Sequence, residues 1–361
     1  MKSISKKAVA LTLVLLTALA QHNDAVNASP LPASAAMPRW VKRQLLTGSP
    51  RVDAVVAQDG SGGHSTINAA LKAAPPGSER FTIHVKKGVY AEVVEIHRKN
   101  VMLVGDGAGQ TIITGNRSNM SNHGTPCTAT VSAQGSGFIA RELTIENTAG
   151  PTAKQAVALL SNSNHSVVFR CEIKGYQDTL LAENHLQFYR DCEVSGTIDI
   201  VFGDAAAVFQ NCTILARRPP KDRHNIITAQ GRSVADAPTG FSFQGCKVTT
   251  REDLRGVETY LGRPWRAHSN VVFMQSYLDT IVHPAGWVPW DKNVVNITTT
   301  RTVFYGEYKN EGPGSDLRHR VSWPGFHKMK HAAQARKYTV DAFIHGGDWL
   351  PEIGVAYKPG L

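Results

Sequence analysis

The middle of the chain repeats about every twenty residues, and this repeat most limits the folds open to it. Three similar phrases, rich in β-branched and aromatic residues, contain Cys171, Cys192 and Cys212, which lie 21 and 20 residues apart. No helical pattern separates the phrases, which argues against βαβ units, and a sandwich or antiparallel barrel would need tight hairpins. A repeat of this length predicts stacked coils of short strands. We therefore expect an all-β parallel β-helix.

Two aspartates keep the same step as the cysteines. Asp178 and Asp199 are 21 residues apart, and both stand in apolar surroundings where a carboxylate is costly to place. If one repeat is one coil, they stack at about 4.8 Å, the spacing of parallel strands. Because two stacked carboxylates cannot both ionise cheaply, one is expected to keep its proton, as in an acid–base pair. The plainer alternative is that both aspartates cap turns, where Asp is common.

Two segments of the globular part look helical. Residues 65–74 form an apolar-periodic stretch that ends at Pro75, and this helix is expected to cap the open end of the first coil. Residues 331–345 also look helical and are expected to fold back over the outside of the solenoid. Because composition does not change after residue 51, we predict a single domain over residues 51–361.

The N-terminal segment resembles a targeting sequence. Lys2, Lys6 and Lys7 precede an apolar run over residues 8–20, followed by small and polar residues. This order predicts a secretory signal peptide over residues 1–28. Residues 29–50 are rich in Pro and Ala and predict a linker, in which the Lys42-Arg43 pair is a candidate processing site. No apolar run is long enough to span a bilayer comfortably, so no membrane segment is expected.

Charge and cysteine content narrow the range of partners. The formal net charge is +10, and half of it lies in the first 50 residues, so the remainder is only moderately basic. Such a domain suits an acidic partner but lacks the Lys/Arg clusters of a nucleic-acid binder. Five cysteines leave at least one unpaired, and the 14 histidines are too scattered to predict a metal site. The glycosylation sequons begin at Asn27, Asn116, Asn119, Asn164, Asn211 and Asn296.

Several phrases in order resemble the plant-type pectin methylesterases, over essentially all of residues 52–361. The phrases are Gly88-Val89-Tyr90-Ala91-Glu92, Gln155-Ala156-Val157-Ala158-Leu159, Gly175-Tyr176-Gln177-Asp178-Thr179-Leu180, Asp199-Ile200-Val201-Phe202-Gly203 and Leu261-Gly262-Arg263-Pro264-Trp265. One such phrase would be weak, but five in order are highly specific. The resemblance implies a single-stranded right-handed parallel β-helix, and hydrolysis of methyl esters on polygalacturonate without a cofactor.

The resemblance also implies roles for individual residues. Asp199 is similar to the family's nucleophile, which forms an acyl-enzyme, and Asp178 to its general acid and base. Arg263 would stabilise charge on one of them. The remaining residues carried over are the oxyanion donors Gln155 and Gln177 and the sugar-binding candidates Trp265 and Trp287, with Gln155 and Arg263 also expected to contact substrate. A Cys212–Cys246 disulfide is suggested by the resemblance, and the phase of Cys171 and Cys192 allows a second bridge that leaves Cys127 free.

The resemblance further implies a secreted, monomeric cell-wall enzyme whose partners are pectin and inhibitor proteins. The chain departs from the family at three places: Leu181 stands where Tyr is common, a Phe is missing from residues 123–130, and Asp204 replaces a usual Asn. The first two thin the aromatic wall of the substrate site, and the third adds a negative charge near the nucleophile.

Three other functions compete with esterase activity. A pectin lyase would need a calcium-binding acidic cluster, and a polygalacturonase would need carboxylates around the glycosidic oxygen. The chain instead has two carboxylates, two glutamines and one arginine, the groups needed for acyl transfer. A non-catalytic pectin-binding protein would be expected to lack Asp178, Asp199 or Arg263, and all three are present.

Overall fold

The computed structural model describes residues 51–77, 79–291 and 297–361. The predicted signal peptide, the linker with its Lys42-Arg43 pair, and the sequons at Asn27 and Asn296 lie outside this part. The helices are α1 (Ile67–Lys72), α2 (Ile297–Thr302), α3 (Ala332–Arg336), α4 (Val340–Ile344) and α5 (Gly346–Ile353), and short 3-10 turns cover Asn119–Ser121, Thr125–Thr128 and Pro313–Ser315.

Short strands make up most of the regular structure. In chain order they are β1 (Ala54–Val56), β2 (Gly63–His64), β3 (Phe81–Val85), β4 (Gly88–Ala91), β5 (Val94–Ile96), β6 (Val101–Gly105), β7 (Thr111–Gly115), β8 (Val131–Ala133), β9 (Ile139–Arg141), β10 (Thr144–Asn147), β11 (Leu159–Ser161), β12 (Ser166–Phe169), β13 (Glu172–Lys174), β14 (Leu180–Ala182), β15 (Leu186–Arg190), β16 (Glu193–Gly196), β17 (Val201–Gly203), β18 (Ala206–Gln210), β19 (Thr213–Ala216), β20 (Asn225–Ile226), β21 (Thr228–Gln230), β22 (Gly240–Gln244), β23 (Lys247–Thr250), β24 (Thr259–Tyr260), β25 (Asn270–Met274), β26 (Tyr277–Leu278), β27 (Phe304–Tyr308) and β28 (Phe326–Lys328).

Three long sheets form the walls of the molecule. Sheet A has the order β2-β1-β3-β6-β9-β12-β15-β18-β22-β25-β27-β28, sheet B the order β26-β23-β19-β16-β13-β10-β7-β4, and sheet C the order β21-β17-β14-β11-β8-β5, with β20 and β24 as a separate pair. Neighbouring strands are parallel and come from successive coils, as in the pairing of Val167 with Ile139 on one side and Phe188 on the other. The chain thus passes through sheets A, B and C once per coil, which confirms the predicted parallel β-helix.

The corner between sheets A and B is a two-residue turn that recurs in successive coils. Its first residue has a left-handed backbone, with φ of 51° at Arg170, 53° at Asp191 and 56° at Asn211. Its second residue is a cysteine in four coils, namely Cys171, Cys192, Cys212 and Cys246. The strands that follow pair in register, so these four thiols form one column inside the coil.

The predicted Cys212–Cys246 and Cys171–Cys192 bridges are not formed in the structure. All five cysteines are free; Cys127 is exposed and the other four are buried. The Cys246 Sγ instead donates to the carbonyl of Phe209 in the preceding coil at 3.2 Å. Burial raises the pKa of the Cys171, Cys192 and Cys212 thiols. This keeps them protonated, and a protonated thiol reacts slowly because the thiolate is the reactive form.

A column of stacked aromatic rings fills the coils next to the thiols. Tyr189, Phe209, Phe243 and Phe273 occupy the same position in successive strands of sheet A. Their ring centroids are 4.5, 4.6 and 4.5 Å apart, with planes within 9° of parallel. Each such pair contributes about 0.5–1.5 kcal/mol beyond the apolar area it buries. The aromatic residues of the repeat therefore hold successive coils in register.

Helix α1 closes one end of the solenoid, as predicted. Thr66 caps it by accepting a hydrogen bond from the Ala69 N–H at 3.1 Å. The Glu92 carboxylate accepts from the free N–H groups of Ile67 and Asn68 at 2.9 and 3.1 Å, a favourable position for a negative charge. Because the buried side of α1 packs on β1, β3 and β5, the helix covers the first coil's edge.

The C-terminal helices cover the outer face of sheet A. The predicted helical segment over residues 331–345 is confirmed as α3 and α4, whereas α5 and α2 are not predicted by the sequence. The helices bury Val340, Ile344, Trp349 and Leu350 against outward side chains of the central strands, among them Phe188. Full burial of each such side chain is worth about 1.5–3 kcal/mol. The fold-back thus makes one wall of the solenoid unavailable to a ligand and leaves the turns into sheet C open.

Candidate active site

Two aspartates precede neighbouring strands of sheet C. Asp178 lies two residues before β14 and Asp199 two residues before β17, and these strands pair with Leu180 opposite Val201. The backbone N–H of Asp178 donates to the carbonyl of Ile198 at 2.9 Å. Asp178 in one coil is therefore stacked on Asp199 in the next, as the 21-residue step predicts.

Both aspartates are buried on strained backbone. The φ angles are 64° at Asp178 and 51° at Asp199, in the left-handed region that Asp and Asn tolerate better than most residues. Only 7% of Asp178 and 5% of Asp199 is exposed. Strained backbone and buried carboxyls both cluster at functional sites. Their coincidence favours the catalytic hypothesis over simple turn-capping.

Arg263 reaches this pair from the turn that follows β24. Its Nε donates to Oδ1 of Asp199 at 2.8 Å, and its Nη2 donates to Oδ2 at 2.5 Å. This two-pronged pairing suits a carboxylate anion. Because the two side chains are only 15% and 7% exposed, water screens the pair weakly. Arg263 thereby places a positive charge against Asp199 and fixes the direction of its oxygens.

Asp178 has the opposite electrostatic environment. Burial raises the pKa of its carboxyl well above the ordinary value, and the charge of Asp199 raises it further, against smaller lowering effects of Arg263 and Gln177. Its Oδ1 is buried and has no hydrogen-bond partner. A carboxyl in this environment keeps its proton at a pH at which an ordinary aspartate has lost it. The site therefore pairs a carboxyl whose pKa is raised with a second carboxyl that an arginine holds at both oxygens.

Two glutamines extend the column by one coil. Gln155 and Gln177 face each other across a parallel bridge, and the N–H of Ala156 donates to the carbonyl of Gln177 at 3.1 Å. Both glutamines are partly exposed, and Gln177 directly precedes Asp178. The structure thus brings together all five residues that the sequence assigns to catalysis. Amide N–H groups beside a nucleophile are the donors that an oxyanion requires.

The two tryptophans predicted to bind sugar lie in different surroundings. Trp265 is 36% exposed, and its ring packs so closely on Gly231 that a Cβ there would lie 2.8 Å from a ring carbon. Trp287 is only 1% exposed, and its ring stacks on Tyr305 with centroids 4.1 Å apart. The prediction for Trp287 is wrong because that ring is part of the core and offers no face to a ligand.

Trp290 is the aromatic residue of the site that sequence reasoning missed. It is 45% exposed, and its ring lies over the guanidinium of Arg263, with the guanidinium carbon 4.0 Å from the ring centroid. Sequence offered one signal, because Trp287 and Trp290 are three residues apart in a segment with a proline between them. Nothing in that spacing indicates which of the two rings turns outward.

Comparison with known proteins decides the family. A family model described as Pectinesterase matches residues 53–348. The chain belongs to the pectinesterase family. In sequence it is 49% identical over 356 residues to the Arabidopsis thaliana protein "Probable pectinesterase/pectinesterase inhibitor 17", a match that covers 96% of this chain and 68% of that protein.

Solved structures of other pectinesterases share the fold. The pectin methylesterase from carrot superposes with a TM-score of 0.84 at 41% identity, covering 87% of this chain and 100% of that one. A pectin methylesterase in complex with a hexasaccharide gives a TM-score of 0.70 at 26% identity, covering 87% of this chain and all of that one. The chain spans between 61% and 68% of the length of the curated plant relatives it matches.

The departures from the usual pectinesterase pattern have identifiable places. Leu181 is 3% exposed and packs with Leu160 and Phe202 in a small apolar cluster of sheet C. The segment that lacks the usual Phe forms the 3-10 turn Thr125–Thr128. The Asp204 Oδ1 accepts hydrogen bonds from the Gln230 amide at 3.0 Å and the Thr239 hydroxyl at 2.6 Å. Two donors thus hold the extra carboxylate.

The described ranges contain neither a metal-binding cluster nor a membrane-spanning helix. Within residues 51–77, 79–291 and 297–361, no group of three His, Cys, Asp or Glu side chains is close enough to hold a metal ion. In the same part of the chain no helix has the length and apolar character needed to cross a membrane.

Proposed function

We propose that this chain hydrolyses the methyl esters of pectin, releasing methanol and leaving free carboxyl groups on the polygalacturonate. In the first step an Asp199 oxygen attacks the ester carbonyl carbon, and the bond to the methoxyl oxygen breaks. The leaving methoxyl takes the Asp178 proton and departs as methanol. The acyl group stays on Asp199 as an anhydride, while amides of Gln155 and Gln177 stabilise the oxyanion that forms on the way.

The second step reverses the role of Asp178. Its carboxylate, now without a proton, takes a proton from water, and the resulting hydroxyl attacks the acyl carbon. The bond to Asp199 breaks, the product is a galacturonic acid that ionises, and Asp178 is protonated again. Arg263 holds Asp199 in line throughout, and the exposed face of Trp265 stacks on a sugar ring of the polymer.

The observation that carries this proposal is the unequal environment of two stacked carboxyls. Arg263 contacts both oxygens of Asp199, whereas Asp178 has a raised pKa and a buried Oδ1 without a partner. A pair with one ionised and one protonated member has the groups required for nucleophilic attack and proton donation. The family and the structural similarity to pectin methylesterases support the same reaction.

We propose further that the enzyme acts outside the cell, on the cell wall, as a secreted glycoprotein monomer that modifies pectin. The signal peptide predicted over residues 1–28 supports secretion, and the moderately basic catalytic part suits an acidic polysaccharide. The names of several relatives join pectinesterase to pectinesterase inhibitor, which supports inhibitor proteins as a second class of partner.

Methanol release from highly methylated pectin tests the proposal. The assay is run with and without a chelator, and the Asp199→Ala protein controls for contaminating esterase. We expect equal methanol release in both conditions, and release lower by about 10⁴-fold or more from the control. Unsaturated products that absorb in the ultraviolet, or activity lost to the chelator, would favour a lyase. New reducing ends would favour a polygalacturonase, and binding without methanol a non-catalytic pectin-binding protein.

A further inference from the structure

Trp290 contacts the catalytic arginine in two ways. The face of its indole lies over the guanidinium at 4.0 Å, and its backbone carbonyl accepts a hydrogen bond from the Arg263 Nη1 at 3.4 Å. The segment that carries Trp290 is anchored to the segment that carries Arg263. Gly262 forms a parallel bridge with Trp287, and the N–H of Val288 donates to the carbonyl of Gly262 at 3.1 Å.

These contacts occupy the parts of the guanidinium that Asp199 leaves free. Nε and Nη2 of Arg263 meet the two oxygens of Asp199, Nη1 meets the carbonyl of Trp290, and one flat face meets the indole. The long side chain of an arginine gains rotational freedom whenever such contacts are removed. A cation over an aromatic face is also attracted by the ring quadrupole, most strongly by Trp.

We propose that Trp290 is a positioning residue, which holds the Arg263 guanidinium flat so that both of its donors stay on Asp199. This inference rests on the proposed function, since Asp199 is the nucleophile in that reaction. Trp290 therefore acts through Arg263 on the chemical step. One face of its indole is covered by the guanidinium, so that face is not available to a sugar ring.

The proposal separates kcat from KM. Removing an interaction that orients the nucleophile lowers kcat, whereas removing a sugar contact raises KM. We expect Trp290→Leu to lower kcat about 5- to 20-fold with KM changed less than about twofold. Trp290→Phe restores a ring face and is expected to recover most of kcat. Val89→Ala, a substitution at an exposed position of sheet B, is the matched control and is expected to leave both constants unchanged.

A second readout does not depend on turnover. The positive charge of Arg263 lowers the pKa of Asp178, which is otherwise raised by burial and by Asp199, with Gln177 as its other neighbour. A guanidinium that moves away from Asp178 lowers the pKa of that carboxyl less. In Trp290→Leu the pKa of Asp178, followed by carboxyl NMR, is therefore expected to rise, and the basic limb of the kcat/KM profile to move to higher pH.

The outcomes are distinguishable. An unchanged kcat with a raised KM in Trp290→Leu would make Trp290 a sugar contact. Equal kcat and KM in Trp290→Leu, Trp290→Phe and the wild type would show that Trp290 has no role in catalysis or binding. Either result overturns the proposal. If the wild type releases no methanol, the proposed function fails. The NMR titration still decides whether Trp290 holds Arg263, because an unchanged pKa of Asp178 in Trp290→Leu would contradict it.

Discussion

The corner between sheets A and B and the turn into sheet C each place an aspartate on left-handed backbone in the same coil. The φ angle is 53° at Asp191 and 51° at Asp199. Asp191 is 27% exposed at its side chain and contacts Arg190 and Asn211 at the surface. The Asp199 side chain is 7% exposed and contacts one partly buried arginine. The same backbone conformation therefore bends the chain at the surface in one place and presents the proposed nucleophile in the other.

These two turns differ in the features that mark a functional site. Positive φ alone does not mark a site, because the corner repeats it at Arg170, Asp191 and Asn211 without placing two buried carboxyls together. Burial of one carboxyl beside another does mark a site, because the charge on each then shifts the pKa of the other. The unpartnered Oδ1 of Asp178 has no counterpart at Asp191, whose Oδ1 accepts from the Asn211 amide at 2.5 Å.

The largest expected effect comes from removing the nucleophile. Asp199→Ala deletes the covalent route, and we expect methanol release to fall by about 10⁴-fold or more, toward the level left by binding and oxyanion contacts alone. Asp191→Ala removes an aspartate from the same coil and is expected to keep activity within about twofold. The measurement is kcat on one pectin sample. Similar losses in both variants would show that the two turns do not differ in function.

Removing the acid is expected to have the next largest effect. Asp178→Asn keeps the shape but cannot donate or accept the proton, so we expect a loss of about 10²- to 10⁴-fold. Activity of the wild type requires protonated Asp178 and therefore falls as pH rises through its raised pKa. Asn has no such titration, so the basic limb of the variant's profile should flatten. A basic limb that is unchanged in Asp178→Asn would assign that limb to another group.

Two arginine–carboxylate pairs, each joined by two hydrogen bonds, differ in how exposed the arginine is. Arg263 binds Asp199 inside the site, and Arg251 binds both oxygens of Glu193 at 2.9 and 2.7 Å on the surface. Lysine keeps the charge but loses the planar fork. We expect Arg263→Lys to lower kcat about 10- to 100-fold. Arg251→Lys is expected to change kcat by less than about twofold and the free energy of unfolding by less than about 1 kcal/mol. Equal effects on kcat would contradict the role of Arg263.

The sequence predicted the column of carboxyls because one repeat is one coil, so a step of 21 residues fixes both the fold and the stacking of Asp178 on Asp199. It did not predict which tryptophan faces the site, because Trp287 and Trp290 share one loop and only packing on Tyr305 decides between them. Helix α5 was missed because it begins with two glycines and contains Pro351, residues that ordinarily disfavour a helix. Spacing placed the thiols in one column but could not show whether they are bonded.

The smallest expected effect lies at the corner itself. Asn211 has φ of 56°, and alanine in that region costs roughly 1–2 kcal/mol, whereas glycine adopts it without a steric penalty. We expect Asn211→Ala to lower the free energy of unfolding by about 1 kcal/mol and Asn211→Gly by less, although both lose the hydrogen bond to Asp191. Denaturant unfolding of protein made without glycosylation measures the stability of both variants, since Asn211 begins a sequon.

Because no catalytic group contacts this corner, kcat should stay at the wild-type value in both variants. A fall in kcat at Asn211 would mean that strain at the corner reaches the turn into sheet C, and that the two regions are coupled through the coil they share.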